Sequence, residues 1–419
     1  MTFQRDARVL ALVLAGGRGE RLHPLTAQRS KPAVPFGGKY RIVDFVLSNL
    51  INSNITATFV LTQYKAQSLL EHLQMAWIHS TGRNNFLTAV PAQMQSGEFW
   101  YRGTADAIYQ NLALLNRTNP QVVAVFGADH IYKMNVGQMI DFHIKKAASA
   151  TVACLPMPSA EAAAFGVIKV NSDWRIIGFE EKPENPASIP EQPGYSLVSM
   201  GNYTFDTAFL TEMLMDDAQD NASAHDFGKS ILPKIFSSTP VYAYDFQRNR
   251  IAMENEAEAA YWRDVGTIQA YFEANLDLKD VRPKLNLYNW DWPIHSVSYN
   301  DPPAKFVFDD NGRRGQAIQS IVSSGCILAG GRVKDSILGR NVFIDEGAEV
   351  EQSVIHDNVR IGRGAKIRRA IIDKNNVLTK GTVIGYDANR DRERYFVSDE
   401  GVVLLGRGAD TPESRARDF

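Results

Sequence analysis

The chain has 419 residues, 44% of them apolar, which allows a full core and points to two domains rather than one. Its 45 basic residues nearly balance 47 acidic ones, so no global field steers nucleic acid or an acidic membrane surface, and local basic clusters must serve something small. Met1–Asp6 lacks an apolar signal core and no apolar run is long enough to span a bilayer, so a cytoplasmic protein with neither nucleic acid nor membrane as partner is expected.

In chain order, the apolar run Val9–Ala15 is expected to be a buried strand. It empties into Gly16-Gly17-Arg18-Gly19-Glu20-Arg21, and then come Arg29-Ser30-Lys31-Pro32 and Phe36-Gly37-Gly38-Lys39-Tyr40-Arg41. A strand ending in a Gly-rich loop brings backbone N–H groups close to phosphates. The loop is neither a dinucleotide fingerprint nor a P-loop, but Arg21, Arg29 and Lys31 close behind it suit the charge of a triphosphate. Further strands are expected at Thr58–Thr62, Val122–Gly127, Thr151–Pro156, Gly166–Val170 and Ile176–Glu180, with helices at Ala66–Ile78, Ala105–Asn116 and Val136–Ala147. This alternation argues for a mostly parallel sheet with ligands beyond the carboxyl ends of its strands.

Trp100-Tyr101-Arg102-Gly103-Thr104-Ala105-Asp106 precedes a helix that Thr104 is placed to cap. Asp129 follows the Val122–Gly127 strand, where a carboxylate suits a hard cation such as Mg²⁺ or, equally, an N-cap. Asp264 is a second such carboxylate, with no spacing rule to link the two. Glu181-Lys182-Pro183 suits a phosphate anchor, although alone it is more readily a strand-end charge pair. His130, His143, His225 and His295 show no metal-type spacing and are taken as structural. Cys154 and Cys326 are expected to be buried thiols.

From Asp277 to Asp310 the pattern becomes an irregular, aromatic-rich connection that is expected to pack. Beyond it aliphatic anchors recur every six residues at Val342, Ala348 and Val354, then, after a slip of one, at Val359, Ala365, Ile371, Val377 and Val383. A hexapeptide period is the signature of a parallel β-helix, here of three or four coils. The expected organisation is 1–276 catalytic, 277–315 packed linker, 316–406 β-helix and 407–419 polar tail.

Together, Leu14–Gly19, Lys31–Lys39, Trp100–Asp106, Gly127–Tyr132, Glu181–Pro183, Ser199–Gly201 and Tyr261–Thr267 resemble the bacterial glucose-1-phosphate adenylyltransferases, over about Arg8 to Gly385. The resemblance implies an α/β fold: a Rossmann-like, mostly parallel nucleotidyltransferase sheet followed by a left-handed parallel β-helix for assembly and regulation. It implies transfer of the adenylyl group of ATP to α-D-glucose 1-phosphate, giving ADP-glucose and pyrophosphate as a regulated first step of glycogen synthesis. Arg21 and Lys31 would steady the phosphates, Asp129 and Asp264 would hold Mg²⁺, and Lys182 would grip the sugar phosphate. Gly16, Gly17, Gly19 and Gly103 would line the ATP site and Gln93 would read adenine. Tyr101, Gly166, Glu181 and Ser199 would line the sugar site.

Family members are typically tetramers with an effector cleft between the two domains. Arg29, Lys39 and Arg41 are candidates for it, with Arg360 or Arg368 from the β-helix, while Gln63 and Trp100 resemble relay positions. Enteric-type members carry Lys where this chain has Gln28, a departure that speaks against activation by fructose 1,6-bisphosphate in that style and makes fructose 6-phosphate or pyruvate equally reasonable activators. Alternatives are a non-catalytic regulatory subunit, a sister pyrophosphorylase using another nucleotide, and a β-helix with acyltransferase activity.

Overall fold

The computed structural model describes residues 8–77, 85–94, 97, 99–252, 260–310 and 313–408. The strands that build the first domain are β1 (Val9–Ala15), β2 (Ala57–Thr62), β3 (Phe86–Pro91), β4 (Val122–Gly127), β5 (His130–Tyr132), β6 (Ala150–Pro158), β7 (Gly166–Val170), β8 (Ile176–Glu181), β9 (Tyr195–Asp206), β10 (Val241–Asp245) and β11 (Trp262–Asp264). Nine of these form one sheet ordered β8-β7-β9-β4-β1-β2-β3, with β6 on β9 and β10 on β6. The β4-β1-β2-β3 half is parallel. The other half is organised around β9, antiparallel to β4, β6 and β7.

Strand periodicity explains why the central runs are apolar throughout. In β1, Ala11, Val13 and Ala15 enter the core on one face of the sheet, and Leu10 and Leu12 the core on the other. Strand β4 divides in the same way, Ala124 and Phe126 against Val123 and Val125. Both cores are covered by helices, so the carboxyl ends of the parallel strands are left as the open edge.

Helix α1 (Ile42–Asn52) is buried along most of its length, and its Asp44 accepts hydrogen bonds from Trp77 Nε1 at 2.9 Å and Ser296 Oγ at 2.7 Å. The helix expected from Ala66 covers Gln67–Ala76, and Ile78 lies outside the described residues. The helix expected over Ala105–Asn116 is broken into Thr104–Tyr109 and Leu112–Thr118. Asn111 sits at the break: its Nδ2 donates to the Ala107 carbonyl at 2.8 Å and to Tyr101 Oη at 2.9 Å, a side-chain bond to the helix backbone that competes with the ladder.

The second domain is a prism of three parallel sheets, with equivalent strands recurring at Ile327, Phe343, Arg360 and Val377 on one face. Among the described residues five coils are present rather than three or four, and the last is closed by Val403–Leu405. The first prism strand, Lys305–Val307, lies inside the segment expected as linker. The repeat is shorter than three full hexads, so the phase slips once per coil. Val377 and Val383 therefore pair beside Arg360 and Lys366, outside the prism, and are 45% and 39% exposed; they are not inward anchors. One corner is made by Asn341, Asn358 and Asn375, all left-handed, with Asn358 Nδ2 donating to Asn375 Oδ1 at 3.1 Å.

The two domains share a core. Helix α2 (Ile268–Asp277) lays Tyr271 and Phe272 with Leu22, Leu25 and Phe36 against Ile337, Val354, Ile371 and Leu404 of the prism. Inside this contact the Arg29 guanidinium, fully buried, pairs with Asp373 and donates from Nε to Leu25 O at 2.9 Å. His356 stands between Asp373, 2.8 Å from Nδ1, and the Tyr271 hydroxyl, 2.9 Å from Nε2, and that hydroxyl donates to Pro35 O. Both cysteines are buried thiols: Cys154 donates to Tyr244 O and Cys326 to Gly339 O, and burial pushes the Cys326 thiol up to about 12. No helix among the described residues is long and apolar enough to cross a membrane.

Candidate active site

A cleft of about 790 Å³ opens at the carboxyl ends of β1 and β4. The Gly-rich loop forms one wall. Gly19 has φ +65°, and a Cβ there would lie 3.0 Å from Lys31 Cβ and 3.1 Å from Thr26 Cγ2, so both its conformation and its closeness to Lys31 require glycine. Gly103 closes the opposite wall in extended backbone, where a Cβ would meet His225 O at 2.2 Å. Thr104 does not cap its helix. Its hydroxyl donates to Asp226 Oδ2 and accepts from Phe227 N, both at 3.0 Å, so its acceptor serves another loop, and the N-cap position is Gly103.

Asp129 and Asp264, far apart in sequence, meet through a short ladder. Strand β5 pairs antiparallel with β11 so that His130 stands opposite Asp264. Lys31 enters from a 3-10 turn, Lys31–Ala33, whose Pro32 sits at the first turn. Its ammonium donates to Asp129 Oδ2 at 3.1 Å and to Asp264 Oδ1 at 2.8 Å, with the lysine only 6% exposed. Burial alone would lower the Lys31 pKa, but the two carboxylates outweigh it and hold it above its ordinary value. For Asp129, burial pushes upward, yet Lys31 and His130 reverse this and keep the carboxyl well below the usual carboxylate range. Arg21 stands at the mouth, Nη2 3.7 Å from Asp264 Oδ2, mostly exposed and free to turn toward an anion.

A second polar group lines the same cleft. Lys182 has left-handed backbone, φ +49°, held by its N–H to Phe165 O at 3.0 Å. Its Nζ lies 3.8 Å from Glu181 Oε1. Burial raises the Glu181 pKa, and Lys182 opposes this. Gly166, Ser199, Tyr203, Asp226 and Gly228 complete this side. Tyr101 is fixed by its backbone N–H to Gln63 Oε1 at 3.0 Å and by Asn111 on its hydroxyl, and burial raises its pKa.

The structure thus brings together Gly16, Gly17, Gly19, Arg21, Lys31, Tyr101, Gly103, Asp129, Gly166, Glu181, Lys182, Ser199 and Asp264. Gln93 is exposed beyond the end of β3 and does not line the cleft. Sequence reasoning missed His130, whose ring lies 4.9 Å from that of Trp262 and whose Nε2 is 3.6 Å from Asp129 Oδ1. It also missed Asp226 and Trp262. His130 adjoins Asp129 and Trp262 adjoins Asp264 through Arg263, so neighbourhood to the carboxylates was the available signal. His143, His225 and His295 instead bond Thr151, Asp217 and Asn52. One ligand atom each from Asp129, His130 and Asp264 lies within 4.8 Å of the others, a group able to hold a metal ion. The two carboxylates fit a hard divalent cation better than the imidazole does.

Of the residues expected at an effector cleft, Arg29 is sealed in the domain contact and Arg41 donates to Ala33 O at 2.7 Å and Ser68 Oγ at 3.1 Å. Burial, with Arg29 nearby, lowers the Arg41 pKa. Only Lys39 of the three lines the cavity of about 520 Å³ between the domains, with Arg340 and Ser323. Arg360 and Arg368 stack on Phe343 and Tyr386 and do not line it.

Residues 10–281 match the nucleotidyl transferase family, and residues 302–405 match the GlmU-like C-terminal hexapeptide family. The glucose-1-phosphate adenylyltransferase of Thermus thermophilus is 52% identical over 407 residues, 96% of this chain and 98% of that one. The chain belongs to the glucose-1-phosphate adenylyltransferase family. The enzyme of that name from Anaeromyxobacter dehalogenans is 52% identical, and glucose-1-phosphate adenylyltransferase 1 of Vibrio cholerae is 51% identical. Each covers 96% of this chain, over 98% and 99% of their own lengths respectively. Membership accounts for the two-domain order, a nucleotidyl transferase sheet followed by a hexapeptide prism.

Proposed function

We propose that this chain transfers the adenylyl group of ATP to α-D-glucose 1-phosphate, releasing pyrophosphate and forming ADP-glucose. The observation that carries this reading is that one cleft holds both the Gly-rich loop with Arg21 and Lys31 and the Glu181–Lys182 pair, a place for each of two phosphate-bearing substrates. A phosphate oxygen of the sugar attacks the α-phosphorus in line. The new P–O bond forms as the bond to the bridging oxygen breaks, and pyrophosphate leaves with that electron pair. No covalent enzyme intermediate is needed, so the protein positions the reactants and neutralises charge. Arg21 and Lys31 face the departing phosphates, and Lys182 holds the attacking one. Mg²⁺ held by Asp129 and Asp264 would supply Lewis acidity at the phosphoryl oxygens.

The proposal includes adenine recognition by Gln93 turning in from the exposed end of β3, homotetramer assembly, a cytoplasmic role in glycogen synthesis, and control by small-molecule effectors at the cavity that Lys39 lines. The test is pyrophosphate release from glucose 1-phosphate with ATP, UTP, GTP or dTTP in turn. Turnover with ATP alone is expected. Turnover with another nucleotide moves the chain to a sister pyrophosphorylase, and none with any makes it a regulatory subunit.

Lys182→Gln is expected to raise the KM for glucose 1-phosphate far more than that for ATP, since its ammonium sits with the sugar-side residues. Initial rates with each substrate varied in turn read this, and a change confined to ATP removes Lys182 from the sugar side.

A further inference from the structure

The Lys31 ammonium occupies the gap between Asp129 and Asp264, with contacts of 3.1 and 2.8 Å. A divalent cation bound to both carboxylates needs each oxygen at about 2.0–2.6 Å from one point. The two demands fall on the same small space, because the donor atoms of Asp129 and Asp264 lie within 4.8 Å of one another. The lysine stem cannot retreat as a whole. It is buried, and Gly19 approaches it so closely that a Cβ there would lie 3.0 Å from the Lys31 Cβ. The end of the side chain is the part able to swing, and the open space it borders is the cleft that Gly16–Gly19 also line. An ammonium moved there without an anion to receive it gives up two charge-assisted hydrogen bonds.

We propose that Lys31 is the resident counter-ion of the metal site: it neutralises Asp129 and Asp264 when the cleft is empty, and it yields that place only when nucleotide phosphates arrive to receive it. This rests on the assignment of Asp129 and Asp264 as metal ligands. Metal binding and nucleotide binding are then coupled through one side chain, and the free enzyme holds metal weakly. Arg21, 3.7 Å from Asp264 and mostly exposed, cannot fill the same role, because water already competes for it.

The test is Mn²⁺ binding to the full chain without nucleotide, read by the electron paramagnetic resonance of free Mn²⁺, for wild type, Lys31→Met, Lys31→Arg and Asp129→Asn. Removing the internal cation leaves the two carboxylates with only His130, 3.6 Å from Asp129, and the exposed Arg21, 3.7 Å from Asp264, beside them, so Lys31→Met is expected to bind Mn²⁺ at least about tenfold more tightly than wild type. Lys31→Arg keeps the charge and is expected to stay weak. If Lys31→Met does not fold, Lys31→Gln makes the same comparison, with melting curves checking the fold. Equal or weaker Mn²⁺ binding in the neutral variants, while Asp129→Asn still reduces binding, overturns the role of Lys31 and leaves the metal site standing. Unchanged binding in Asp129→Asn shows instead that the metal site is elsewhere, and the proposal falls with it.

Discussion

Asp129→Asn is expected to lower turnover at least about a hundredfold while leaving the fold intact, because electrostatic contributions of this kind are worth about 2.7–4 kcal/mol. The substitution keeps the shape of the side chain and removes its charge. That charge accepts from Lys31 at 3.1 Å, and Lys31 and His130 favour it. Asparagine offers a weaker acceptor to Lys31 and a weaker oxygen to a hard cation. The measurement is kcat with ATP and glucose 1-phosphate at saturation, with a thermal melt alongside. Near-normal turnover removes Asp129 from the site.

The second large effect lies in the domain contact. Asp373→Ala is expected to destabilise the chain by about 3–5 kcal/mol, because it leaves the Arg29 guanidinium buried without its partner. Replacing both Arg29 and Asp373 by apolar residues is expected to cost less than Asp373→Ala alone. Breaking the exposed Lys169–Glu180 pair is expected to cost no more than about 1 kcal/mol. Chemical denaturation of the four chains checks the ranking, and equal losses for the buried and exposed pairs refute it.

The same pair sets a pH dependence. Burial would raise the Asp373 pKa, but Arg29 and His356 hold it well below the usual carboxylate range. A depressed folded-state pKa contributes stability above the unfolded value of about 3.9, and that stability is lost as the pH falls below it toward the folded value. The unfolded chain takes up a proton there that the folded Asp373 refuses. Melting temperatures between pH 5 and pH 3, each value chosen to bracket roughly the unfolded pKa, are expected to fall less steeply for Asp373→Asn than for wild type. Parallel curves would mean that Asp373 is not the group responsible.

Much of this site was legible in the chain because its parts are local. The strand Val9–Ala15, the loop behind it and the exit of Val122–Gly127 lie where apolar runs and glycines place them. Lys182 stands at a strand end for the same reason. The boundaries that moved did so for identifiable causes. Asn111 broke a helix by bonding the Ala107 carbonyl with its side chain. The hexad pattern misplaced Val377 and Val383 because a coil that turns on Asn341, Asn358 and Asn375 is shorter than three hexads.

By itself the sequence determined the class of both domains, the order in which they follow, and the residue types that meet phosphate, since these depend on periodicity and on charge near glycine. Only the tertiary structure decided what those residues touch. The pairing of His130 with Asp264 across a two-stranded ladder brought the carboxylates together, and no spacing rule carries that information. Packing placed Lys31 between them and left Lys39 at the cavity between the domains, while it sealed Arg29, a basic residue of the same stretch, against Asp373. A positive charge reads alike in sequence wherever it lies. Whether it meets solvent, a ligand or a buried carboxylate is settled by what the rest of the chain stacks around it.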